Sequence, residues 1–175
     1  EIMQTASMLG WQAVGIADLF GVGGLVRAWS ASKDIARENN AGENNTGQNI
    51  ENTTDRIAIP RLISGARISL VDGGDILCFV RSVDGYESLC QWLSAAMMRS
   101  GHQQRESPDL YISDLARLSG DTCLVALPPA AMDSTWREQL RSMAQIAKGR
   151  VYIGGYLRRD GCDEQRLYQL KQQAD

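Results

Sequence analysis

The chain has 175 residues, 43% hydrophobic and 22% charged, with 18 Lys and Arg against 21 Asp and Glu for a formal net charge of −3. That balance excludes a free-standing polyelectrolyte binder, because phosphate neutralisation by a basic excess supplies most of such a protein's affinity. The apolar content excludes disorder and fibre, suits roughly one domain of 100–200 residues, and includes no run near the ~20 residues of a bilayer span; with no basic-then-apolar start, the expectation is a cytoplasmic protein without a membrane partner.

In chain order, Ile2, Ala6, Met8 and Leu9 mark a helical face that stops at Gly10. Residues 13–18 are a short apolar run ending in Asp18, the pattern of a buried strand whose end delivers a side chain. The glycine-rich loop after it leads to a helix through Leu25, Val26, Trp29, Ile35 and Ala36 that fades by Glu38. Residues 39–56 are rich in Asn, Gly and Thr, with too few apolar anchors to offset their ordering entropy, and are expected to be a mobile insertion. The glycosylation-type triplets at Asn44 and Asn52 carry no weight without a secreted context.

Beyond the insertion, two apolar runs flank Asp72-Gly73-Gly74-Asp75 and predict a hairpin of strands at 61–71 and 76–80. A helix capped by Asp84 follows, then a brief helix through Leu110, Leu115 and Leu118, and a strand at 122–126 ended by Pro128-Pro129. Ser134 is the expected cap of the next helix, which Lys148-Gly149 closes; a strand at 151–154 and a last helix carrying Leu167, Tyr168 and Leu170 complete the chain. Strands alternating with helices predict an α/β fold with mostly parallel strands, helices outside and a single domain over residues 1–175.

The residue inventory narrows the chemistry. His102 is the single histidine, which removes most triad, zinc-hydrolase and His-cluster mechanisms and leaves carboxylates to do any proton work. Cys78, Cys90, Cys123 and Cys162 form no C-x-x-C pair and are expected to be buried thiols. Asp18 with GVGG reads either as a metal ligand or base at a strand end, or as a capping residue beside a turn that needs glycine. The spacing fits neither the dinucleotide fingerprint nor the P-loop. Arginine outnumbers lysine fifteen to three. Arg67, Arg81, Arg99, Arg105, Arg158 and Arg159 either form a phosphate-contacting patch or serve solubility, and the loop position of Arg158-Arg159 favours contact.

The segments GWQAVGIADLFGVGGLVRAW, LISGARISLVDGGDILCFV, VDGYESLC and VALPPAAMD, in that order, resemble the N-terminal polymerase-and-histidinol-phosphatase (PHP) domain of bacterial C-family DNA polymerases, in particular the error-prone, damage-inducible branch. The resemblance implies an incomplete or distorted β/α barrel belonging to a longer chain. In metal-binding relatives a cluster sits at the strand ends. Here Asp18 matches one ligand position, Leu19 replaces a His or Glu, and Arg67 stands where replicative relatives carry a ligand carboxylate. The H-x-H pair of the first strand would precede Glu1. The resemblance therefore implies no catalytic residue, metal or cofactor in this segment. It implies support of a polymerase module in the same parent chain during repair and translesion synthesis, contact with DNA through that parent, and other mutagenesis proteins as partners. A metal-dependent phosphoesterase of the superfamily and a protein-binding module are the alternatives, and Arg67, Arg158 and Arg159 are the candidate phosphate contacts.

Overall fold

The computed structural model describes residues 1–44, 58–99, 107–130 and 132–174. The elements run α1 (Ile2–Met8), β1 (Ala13–Leu19), α2 (Gly24–Asn44), β2 (Arg61–Leu70), β3 (Gly74–Val80), α3 (Val83–Arg99), a 3-10 helix (Ile112–Arg117), β4 (Thr122–Ala126), α4 (Ser134–Ile146), β5 (Val151–Ile153) and α5 (Asp163–Ala174). The strands form one five-stranded sheet in sequential order. β1 is parallel to β2 and β4 to β5, whereas β3 is antiparallel to both its neighbours. Four strands thus run one way and only β3 is reversed, as the mostly parallel sheet and its hairpin require.

Pairing and strand alternation divide the side chains between two faces. Val14, Leu62, Ala66, Ile68, Ile76, Cys78, Leu124 and Ala126 share the face that the helices cover. The opposite face carries Gly15, Ile63, Gly65, Arg67, Leu77, Phe79, Cys123 and Val125. Two apolar clusters lie on the covered face. The larger joins β2–β5 to α3, α4, α5 and the 3-10 helix; the smaller joins Met3, Ala6, Val14, Ala28 and Ile35 of α1, β1 and α2.

Local chemistry moves several boundaries. The α2 backbone continues to Asn44, six residues past Glu38, so helix occupies residues 39–44 of the expected insertion; 45–56 lie outside the described residues. The cap of α3 is Ser82, whose hydroxyl accepts from the Gly85 amide at 3.1 Å, and Asp84 sits inside the helix. Likewise Asp133 caps α4 by accepting from the Trp136 amide at 2.9 Å, and Ser134 is the first helical residue. Asp133 has the extended backbone, φ −87° and ψ −175°, that a cap needs.

Candidate functional site

Because β3 runs backwards, its start meets the carboxyl ends of β1 and β2, and two of the sequence-predicted site residues, Asp18 and Arg67, lie at that end of the sheet. Asp18 pairs with Ala66 on the covered face, and its carboxylate accepts a hydrogen bond from the Gly24 amide at the first turn of α2. A Cβ on Gly24 would stand 2.7 Å from that carboxylate, so the glycine is what lets Asp18 approach. Of the two roles open to it, this geometry gives Asp18 the capping one.

Arg67 lies on the opposite face, beside Leu19. Its Nε donates to Asp75 at 3.1 Å, its Nη2 donates to the same carboxylate, and the Ser69 hydroxyl donates to the other Asp75 oxygen at 2.5 Å. Burial raises the Asp75 pKa, but the Ser69 and Arg67 hydrogen bonds and the Arg67 charge outweigh it and hold the carboxyl below its ordinary value. The sequence treats Asp75 only as a turn residue. The three-residue turn at 71–73 places Ser69 opposite Asp75 and Arg67 two residues away on the same face, a register that the expected turn at 72–75 does not give.

Arg158 and Arg159 lie between β5 and α5, and no hydrogen bond or ion pair joins them to Arg67 among the described residues. Their amides donate to the two Asp163 oxygens, each at 2.8 Å. Arg166 bridges Asp160 and Asp163 at 2.6 Å each. The Arg158 guanidinium sits 5.1 Å from the Tyr156 ring and donates to its hydroxyl, leaving Arg159 the freer of the two. Arg99 is committed elsewhere, to Asp114 at 3.0 Å, and His102 and Arg105 lie outside the described residues. The cysteine expectation needs correcting. Only Cys78 is buried, which pushes its thiol up to about 12, while Cys90 and Cys123 are half-buried and Cys162 is exposed.

As a metal centre the site does not fit. Among the described residues no three His, Cys, Asp or Glu side chains converge. Asp18 accepts the Gly24 amide through one oxygen, and Arg67, a guanidinium that cannot ligate a cation, faces away from it.

The chain is 30% identical over 174 residues to an error-prone DNA polymerase of Allorhizobium ampelinum, covering 99% of this chain and 13% of that one. It is also 30% identical over 176 residues to an error-prone DNA polymerase of Rhodopseudomonas palustris, covering 99% and 14%. Its sequence resembles the PHP domain of error-prone DNA polymerases. The fold agrees: the structure of a candidate metal-dependent phosphoesterase from Bifidobacterium adolescentis superposes with a TM-score of 0.57 at 15% identity, covering 99% of this chain and 77% of that one. No protein-family profile matches the chain. This PHP-like chain thus spans 13–14% of the length of those polymerases. No helix among its described residues is long and apolar enough to cross a membrane.

Proposed function

We propose that this is a catalytically silent PHP-like domain that supports the polymerase module of an error-prone DNA polymerase in the cytoplasm, in repair and translesion synthesis. It has no metal or cofactor of its own. The observation that carries the silence is the prior engagement of the residues at the matched positions: Asp18 by the Gly24 amide, Arg67 by Asp75 and Ser69. A hydrolytic centre must hold each ion with several ligands, orient them through further hydrogen bonds and leave a position for water. At Arg67 a guanidinium, which cannot ligate a cation, stands at the position of a ligand. Nucleotide transfer belongs to the rest of such a polymerase, and other mutagenesis proteins are its further partners.

Metal analysis of the purified chain, with hydrolysis of a generic aryl phosphate assayed with added Zn or Mn, tests this. The expected result is no stoichiometric metal and no turnover. A tightly held ion together with turnover that disappears in Asp18→Ala favours the phosphoesterase reading instead.

A further inference from the structure

A cleft on another part of the sheet has a chemistry that the support role does not use. The β2–β3 ladder stops at Gly65 and Phe79. Below that point β2 continues alongside β1, while the end of β3 continues alongside β4. The sheet parts there, and the opening has a volume of about 1110 Å³, lined among others by Trp29, Arg61, Ser64, Phe79, Arg81 and Tyr86.

Three aromatic rings contribute. Phe79 lies across Gly15 and Gly65, where a Cβ would meet its ring at 3.0 and 2.5 Å, so the ring has a fixed seat. Trp29 and Tyr86 are 54% and 37% exposed, and Lys33 Nζ stands 3.5 Å from the Trp29 ring centre. No Asp or Glu lines the cleft. Both arginines are exposed, and neither guanidinium is paired with a carboxylate among the described residues.

From this combination we propose that the cleft binds a nucleobase together with its phosphate. The base would lie against an aromatic face, which accepts any base, and Arg61 and Arg81 would take the phosphate through charge-assisted hydrogen bonds. A free nucleotide and the exposed end of a single strand present the same chemistry. The proposal goes beyond the support role and stands whether or not the domain hydrolyses phosphoesters.

Fluorescence anisotropy of the 175-residue chain with a labelled oligo-dT of about 15 nucleotides, competed with unlabelled oligo-dT or dTTP, tests the site. Arg61→Gln/Arg81→Gln is expected to weaken binding at least about tenfold. For a strand it should also flatten the log–log salt slope by about 0.7, from the one phosphate no longer neutralised. Trp29→Ala, at an exposed position, is expected to weaken binding about five-fold or more. Arg158→Gln/Arg159→Gln should leave it unchanged, and circular dichroism checks that each variant is folded. Competition by dTTP identifies a nucleotide site; displacement by oligo-dT alone identifies a strand site. Failure of both ligands to bind the unaltered chain overturns the proposal, as does binding that survives the cleft substitutions or is lost equally on removing Arg158 and Arg159.

Discussion

Asp114 is a carboxylate with its side chain only 8% exposed, and it is anchored by Arg99 and by the Tyr111 amide at 3.1 Å. Burial raises its pKa, but the Arg99 hydrogen bond, the Tyr111 amide and the charges of Arg99 and Arg117 together hold it below 3.8. Asp75 is lowered on the same logic. A carboxylate depressed by folding adds stability that is complete above its unfolded pKa and is lost as pH falls through the folded one. Urea midpoints are therefore expected to show no pH dependence from these two groups near neutrality and to fall as the pH drops below about 3.8. Asp114→Asn should cost about 1–3 kcal/mol at pH 7 and flatten that acid limb; an unchanged limb would show that Asp114 does not set it. Sequence legibility differs sharply between such residues. Asp18 was readable as a cap because its partner amide lies six residues away in a glycine-rich loop. Asp114 was not, since Arg99 reaches it across a connection that carries no periodic signal.

Elements were legible where a period or a turn governs them. The β2–β3 hairpin follows from Gly74, whose φ of +71° suits glycine at the turn. The end of α2 did not follow, because its last residues are polar and helix continuation there leaves no apolar trace. Caps shifted by one or two residues for a related reason: Ser82-Val83-Asp84 and Asp133-Ser134 each offer two capping side chains, and only backbone geometry chooses between them. Gly65 shows what pattern reading cannot supply. Its absent Cβ would sit 2.5 Å from Phe79 and 2.7 Å from the Cys78 carbonyl. Gly65→Ala should therefore lower stability by about 1–3 kcal/mol in urea unfolding. Gly120→Ala, with nothing within 4 Å of the new methyl, should stay within about 0.5 kcal/mol. Equal losses at the two sites would remove the steric account.

At the scale of the whole molecule, the alternation of strands and helices made the sheet readable, but the separation of its apolar interior into two clusters was not. That division depends on which side chains of β2 face which helix. Five buried residues hold the smaller cluster against twenty in the larger, among those described. Local opening draws on few buried contacts. Native-state hydrogen exchange is accordingly expected to release α1 and α2 amides at lower opening free energy than those of β3 and β4, and uniform protection would mean a single cooperative unit. β2 belongs to both clusters, with Leu62 packed on the smaller and Ala66, Ile68 and Leu70 inside the larger. The connection from α2 therefore enters the sheet on the weaker side of the seam. Lengthening the connection between Asn44 and Arg61 adds a slowly growing entropic load, and it falls first on the smaller cluster, against which Leu62 at the start of β2 packs. An insertion there is accordingly expected to lower the opening free energy of α1 and α2 before that of the larger interior.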